Sequence, residues 1–236
     1  MQLFYSPDIA KNNSQYTFNK EESKHIAKVL RKKEGQTLCI TNGKGSLFIG
    51  EIIVADIKNC VIEILSEEQK SKHNYHLHIA IAPTKMNDRM EWFLEKAVEI
   101  GIDEITPIFC DNSERKIIKP ERFEKIIQSA MKQSLQAHLP RLNDGIDFRK
   151  FIDQNFEGQT FIAHCEEQEK KELFKEIKNG SNITILIGPE GDFSTKEISL
   201  ALSNNFAPIS LGNTRLRTET AGIVACHTTA LANNKS

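Results

Sequence analysis

The chain has 236 residues, of which 27% are charged and 39% hydrophobic, and its 31 Lys+Arg against 32 Asp+Glu leave a formal net charge of -1. That length suits one large core or two unequal domains, and a charge so near zero excludes a global basic field that would bind nucleic acid indiscriminately. No apolar run approaches the roughly 20 residues that cross a bilayer. The chain also opens without the basic start, apolar stretch and small-residue cleavage site of an exported protein, so a cytoplasmic protein with no membrane partner is expected.

From Gln2 to about Ser66 the pattern has period two or short apolar runs. Leu3-Phe4-Tyr5, Thr37-Leu38-Cys39-Ile40, Leu47-Phe48-Ile49, Glu51-Ile52-Ile53-Val54 and Cys60 to Leu65 read as strands. Asn42-Gly43-Lys44-Gly45 reads as a hairpin turn, because Asn-Gly supplies the positive φ such turns need. One helix interrupts, Glu21 to Arg31, with Ile26, Val29 and Leu30 on one face. The first domain, residues 1–70, is therefore expected to be a small β-barrel carrying one helix. Ser66 to Asn74 is polar and aperiodic, as a linker would be.

Beyond Tyr75 the chain alternates strands with helices, so residues 75–236 are expected to form an α/β domain with a mostly parallel sheet. Strands are predicted at His76–Ala82, Glu104–Phe109, Thr160–His164, Ile183–Ile187 and Pro208–Leu211. Helices are predicted at Asp88–Ile100, Pro120–Ala137, Lys170–Lys178, Thr195–Asn204 and Thr218–Ala232. Met90, Phe93, Leu94, Ala97 and Val98 give the first of these one apolar face, and Gly101 is placed to end it.

The five cysteines (Cys39, Cys60, Cys110, Cys165, Cys226) are scattered and never spaced C-x-x-C, which suits reduced, buried thiols. His73, His76, His78, His164 and His227 lack partners at ligand spacing, so no metal is expected. Neither dinucleotide nor P-loop glycine spacing occurs at a strand end.

Two strand ends concentrate chemistry, where open parallel sheets bind ligands. One strand runs into Ile187-Gly188-Pro189-Glu190-Gly191-Asp192-Phe193-Ser194. Its glycines allow close backbone approach and Pro189 stiffens the loop. The plain alternative is a tight connection with Ser194 as N-cap and Glu197 closing a capping box. The next strand ends in Leu211-Gly212-Asn213-Thr214-Arg215-Leu216-Arg217-Thr218-Glu219-Thr220-Ala221-Gly222, which puts more charge at a helix start than capping needs.

These two motifs, in this order, resemble the ribosomal RNA small-subunit methyltransferase E family of the SPOUT superfamily. The resemblance extends to Lys85, Arg89 and the run Leu94 to Gly101, to Ser113-Glu114-Arg115, to Gln133-Ser134, and to His25 with Val29-Leu30-Arg31 and Gly35. It therefore spans nearly the whole chain. Departures stand at Asp192 (usually a second Gly), Lys132 (usually Glu), Leu135-Gln136 (usually Gly-Arg), Asn213-Thr214-Arg215 and the N-terminal Met1-Gln2-Leu3-Phe4.

The resemblance implies a PUA-like RNA-binding barrel followed by an α/β methyltransferase domain whose C-terminal segment forms a trefoil knot. It implies methylation of N3 of a uridine in 16S rRNA within the small ribosomal subunit, with S-adenosyl-L-methionine as donor, by a homodimer. The cofactor residues it implies are Ala163 and His164; Ile187, Gly188, Pro189, Glu190 and Gly191; Leu211, Gly212 and Leu216; and Thr220. Arg217 is the catalytic candidate, favouring the uridine anion electrostatically. Glu219 either accepts the N3 proton or holds the arginine. RNA contacts are expected from Lys24, His25, Lys28 and Arg31, joined by Lys85 and Arg115; a solvated basic helix explains the first four equally well. Alternatives are a SPOUT enzyme acting on ribose 2′-OH or another RNA, and a non-catalytic RNA-binding protein of the same fold.

Overall fold

A computed structural model of the chain describes residues 2–10 and 14–234; Met1, at the N-terminal departure, lies outside them. The chain divides into two compact units, Met1–Lys72 with Met131–Leu139, and His73–Ala130 with Pro140–Ser236.

The first unit carries β1 (Leu3–Tyr5), β2 (Gln15–Thr17), α1 (Lys20–Lys24), β3 (Thr37–Thr41), β4 (Ser46–Val54) and β5 (Val61–Gln69), in the sheet order β1-β3-β4-β5-β2. Only β1 and β3 pair in parallel; the other pairs are antiparallel. Phe4, Phe18, Ile26, Ile40, Phe48 and Ile62 are the heart of its core. The two strands expected either side of Gly50 are one strand, β4, whose register slips at Ile49/Gly50. A Cβ on Gly50 would stand 2.5 Å from the Ile62 side chain, so glycine here admits the neighbouring strand. The Asn42–Gly45 turn is a hairpin as expected: Gly43 and Gly45 have φ of +72° and +102°, and Asn42 Oδ1 accepts from the backbone N–H of Lys44 and Ser46. β5 runs on to Gln69, into the expected linker, because its outer positions are exposed and carry no apolar signal. For the same reason the edge strand β2 went unread.

The expected first helix is shorter and changes type. After α1, residues His25–Val29 form a π turn in which Leu30 N–H donates to His25 O. The wider turn carries Val29 off the buried face, so it is 64% exposed while Ile26 is fully buried.

The second unit holds β6 (His76–Ile81), α2 (Asn87–Ile100), β7 (Glu104–Phe109), α3 (Pro120–Gln133, its last three residues counted with the first unit), β8 (Arg141–Leu142), β9 (Ile146–Asp147), α4 (Phe148–Ile152), β10 (Gln159–Ala163), β11 (Lys171–Glu172), α5 (Leu173–Glu176), β12 (Asn182–Ile187), α6 (Thr195–Ser203), β13 (Ala207–Ser210) and α7 (Thr218–Asn233). The sheet order is β11-β13-β10-β12-β6-β7-β8, with β9 also on β7, and every pair is parallel. β6 and β12 lie at its centre and are buried on both faces, as doubly covered parallel strands are.

α2 buries Met90, Phe93, Leu94, Ala97 and Val98 and ends on Gly101 at φ +107°, as predicted. Two expectations change, and one short helix is added. α3 stops at Gln133 rather than Ala137, and Leu135 takes the left-handed φ of +58°. The helix expected over Lys170–Lys178 becomes the short β11 and a single turn, α5. α4, capped by Asp147 and burying Phe148, Phe151 and Ile152, was too short to show a helical period.

Candidate active site

Three strands adjacent in the sheet, β13, β10 and β12, end on the same side, as parallel strands do. Their following loops enclose a cavity of ≈ 490 Å³, within the size range that binds a small organic molecule. Ala163 and His164 come from the β10 loop; Ile187, Gly188, Pro189 and Glu190 from the β12 loop; Leu211, Gly212 and Leu216 from the β13 loop. Arg217 is exposed at the cavity wall, at the N-cap of α7.

Two implied cofactor residues are not on that wall. Gly191 is turned to the β7 loop, where a Cβ would meet the Asn112 side chain at 3.2 Å. Thr220 sits on α7 between Thr218 and Ala221, which do line the cavity, and the helical turn rotates it away. Glu219 is also off the wall, buried and facing α2: its Oε1 lies 3.9 Å from Arg89 Nε, while Oε2 is buried without a hydrogen-bond partner. Its nearest cation is therefore Arg89, not Arg217.

The wall holds further residues beyond the implied cofactor set; of Lys170, Asp192, Arg215 and Thr218, Lys170 alone lies outside the two motifs. Lys170 Nζ donates to the carbonyls of His164 and Glu166, folding the β10 loop around itself. Asp192 lines the cavity with its backbone at φ +64°. Arg215 reaches Glu190 O at 3.4 Å, and Thr218 Oγ1 donates to Gly188 O at 3.0 Å. The departure from the family pattern at residue 192 was the one signal in the sequence that could have marked it.

The β12 loop is held from outside as well. Ser194 caps α6 and Glu197 completes the capping box, so the plain reading of this segment is also correct. Glu197 goes further: its Oε1 accepts from the Asp111 N–H at 2.9 Å, in the β7 loop. Gly188 has no room for a side chain, since its Cβ would lie 3.0 Å from the Phe193 ring.

Lys85 and Arg115, expected at RNA, lie beside this loop in a polar network. Lys85 N–H donates to Glu190 Oε1 and its Nζ pairs with Glu114 at 2.8 Å. Arg115 donates to Asn87 Oδ1 and to Lys85 O. In the first unit, Lys24, Lys28 and Arg31 are exposed around the π turn, and Arg31 has φ +54°. His25 instead packs its ring near Phe4 and faces Glu22 at 3.6 Å.

The cavity walls fit a ligand that is part apolar and part charged. Ile187, Ile209, Leu211 and Leu216 supply apolar surface, and Lys170, Glu190, Asp192, Arg215 and Arg217 supply both signs of charge. Two of its residues carry buried polar atoms without a partner, His164 Nδ1 and Glu190 Oε2. Burial first, then the Lys170 charge, holds the His164 imidazole below its ordinary pKa. Cys165 is exposed on the wall, unlike Cys39, Cys60, Cys110 and Cys226, which are buried; all five are free thiols. Among the described residues no group of three or more His, Cys, Asp and Glu is arranged to hold a metal, and no helix is long and apolar enough to cross a membrane.

Comparison with known proteins gives this geometry its context. Residues 71–230 match the model of an RNA methyltransferase domain, and residues 18–65 that of an RNA methyltransferase PUA domain. Ribosomal RNA small subunit methyltransferase E of Buchnera aphidicola (strain APS) is 32% identical over 235 residues, covering 94% of this chain and 90% of that protein. The chain belongs to this family. It is an RNA methyltransferase with a small PUA-type β domain ahead of a parallel-sheet catalytic domain. Similar proteins of known structure agree in fold. A "probable rRNA-methyltransferase" from Porphyromonas gingivalis superposes with a TM-score of 0.90 at 44% identity, covering 98% of this chain and 99% of its own. The family enzyme of Neisseria gonorrhoeae, solved bound to S-adenosyl methionine, gives 0.82 at 25% identity, covering 96% of each chain.

Proposed function

We propose that this protein methylates N3 of a uridine in 16S rRNA of the small ribosomal subunit, taking the methyl group from S-adenosyl-L-methionine held in the cavity at the ends of β10, β12 and β13. The observation that carries this reading is that cavity: three neighbouring strand ends, a mixed-charge and apolar wall, and Arg217 at the start of α7. A related protein of the same family was solved with this cofactor.

The sulfonium donor supplies an activated methyl group, so what remains for the protein is alignment and charge. Ile187, Leu211 and Leu216 exclude water from the apolar part of the ligand, while Lys170 and Glu190 meet its charged part. The N3–CH₃ bond would form as the S–CH₃ bond breaks, leaving the thioether, and the N3 proton would pass to solvent water. Arg217, whose guanidinium makes no hydrogen bond or ion pair to another described residue, is free to sit over the developing negative charge of the uracil ring. The N-terminus of α7 adds its dipole in the same direction. Glu219 holds Arg89 in this reading rather than taking the proton.

The first unit would dock the RNA through Lys24, Lys28 and Arg31, whose exposed side chains surround the π turn. Lys85 and Arg115 would order the rim near Glu190 instead of forming the main phosphate contacts. A trefoil knot in the C-terminal segment, a homodimer and a cytoplasmic location belong to the same proposal; the return of β13 to β10, two places from β6, fits the knotted arrangement.

The test is incubation of small subunits from a strain lacking its own uridine-N3 methyltransferase with this protein and S-adenosylmethionine, followed by mass spectrometry of the digested RNA. N3-methyluridine is the expected product. A 2′-O-methylated nucleoside would replace the assigned reaction, and the absence of any methylated nucleoside would reject this substrate.

A further inference from the structure

Asp192 occupies an unusual position in the site. It lies in the left-handed region, at φ +64°, where an L side chain is tolerated only at some cost and Asp is among the residues that tolerate it best. Its backbone is tied twice: the N–H donates to Pro189 O at 2.9 Å, closing the β12 turn, and the carbonyl accepts from Asn112 Nδ2 at 3.1 Å, in the β7 loop. Its carboxylate is tied twice more. Oδ1 accepts from the neighbouring Phe193 N–H at 2.8 Å, and Oδ2 accepts from the Cys165 N–H at 2.7 Å, in the β10 loop.

Among these ties the last is the one that joins two walls of the cavity through a side chain. Residues 163–165 and 187–190 line it together with Asp192, and a glycine at 192 would leave the backbone contacts in place while removing that bridge. Beyond Cys165 the β10 loop is held by Lys170, through the carbonyls of His164 and Glu166, by the Gln168–His164 side-chain bond, and by Thr195 Oγ1, which donates to Glu166 Oε1 at 3.1 Å; at Cys165 itself the tie is the Asp192 carboxylate. A carboxylate accepting a backbone N–H makes one of the stronger hydrogen bonds available to a loop.

We propose that Asp192 is a positioning residue that sets the spacing of the β10 and β12 walls and so preorganises the cavity for S-adenosyl-L-methionine. The inference rests on the cofactor reading given above. It assigns Asp192 no part in the methyl transfer; its effect is on the affinity of the cofactor through the Cys165 backbone.

Three substitutions separate this from its competitors. Asp192→Ala removes the bridge, Asp192→Gly removes it while suiting the left-handed backbone, and Asp192→Asn keeps one accepting oxygen for two N–H donors. In cofactor-free protein, amide exchange at Cys165, followed by NMR, should be about tenfold faster in the Ala and Gly variants. Titration calorimetry with S-adenosylmethionine should show a Kd about tenfold higher, with KM for the cofactor rising in step and kcat at saturation held within about twofold. The Asn variant should fall between. Unchanged exchange at Cys165, or an unchanged Kd in a folded variant, overturns the proposal, as does a fall in kcat with KM unaltered. Should the Ala variant fail to fold, the Gly variant carries the same test. Wild-type protein that binds no S-adenosylmethionine would reject the cofactor reading itself, and this inference with it.

Discussion

Replacing Gly222 by alanine sets two ordinary effects against each other. Gly222 lies in α7, and on helix propensity alone the exchange should stabilise the protein by about 1 kcal/mol. The local packing argues the other way. A Cβ there would stand 2.6 Å and 2.8 Å from two Phe93 ring atoms and 3.0 Å from Ile81 Cδ1, against roughly 3.5–4.0 Å for an ordinary carbon contact. Phe93 and Ile81 are fully buried, so neither can retreat into solvent. Overpacking of this kind costs about 1–3 kcal/mol, and here it should exceed the propensity gain, leaving a net loss of up to about 2 kcal/mol. Urea unfolding should show it as a midpoint lowered by about 0.5 M at unchanged slope. Because Ala221 lines the cavity and Thr218 bonds Gly188 O, a displaced α7 should weaken cofactor binding as well. Combining Gly222→Ala with Phe93→Leu should recover part of the lost stability, since a smaller partner makes room. A Gly222→Ala protein more stable than wild type by about 1 kcal/mol would refute the argument, showing that α2 and α7 do not meet as closely as described.

Arg217→Ala should lower kcat by about 10²–10³-fold with little change in cofactor Kd, and Arg217→Lys should restore part of it; Glu219→Gln should keep most of its kcat, and equal losses at both positions would return Glu219 to the chemistry. His78 gives the protein an acid sensitivity: burial pushes its pKa down from 6.5 to about 4, against the pull of Glu104. As pH falls, the unfolded chain takes up the proton first, so this contribution is whole above pH 6.5 and is lost between pH 6.5 and 4, about 3 kcal/mol in all. Urea midpoints at pH 7 and pH 4.5 should differ less in a His78→Gln protein; an identical difference would remove His78 as the cause. If Lys28 and Arg31 touch phosphates, replacing either by alanine should lower the salt slope of RNA binding by about 0.7. Anisotropy titrations over a range of KCl would measure that slope, and no change would make these residues a solvated face.

Much of this protein is written along the chain. Alternating and helical periods mark β6, α2, β7, β12 and α7 because each buries a face whose spacing is local. Gly101 and the Ser194–Glu197 box announce helix ends through contacts three or four residues apart. The motifs after β12 and β13 marked most of the cavity wall for a similar reason, as each is one short loop. Even two departures from the family pattern were informative: Leu135 and Asp192, where glycine is usual, both have left-handed backbones.

What the chain could not declare by itself are contacts made only once distant segments lie side by side. Sheet order brings β13, β10 and β12 together, and from it follow the Asp192–Cys165 bond across 27 residues and the Glu197–Asp111 bond across 86. The same order turns Lys170 from an expected helix start into a clasp on the β10 loop, and the packing of α7 on α2 sets Glu219 against Arg89. A side chain's periodic position tells which face of its own element it occupies. Which partner it meets there depends on the neighbouring element, and that is decided only by the tertiary fold.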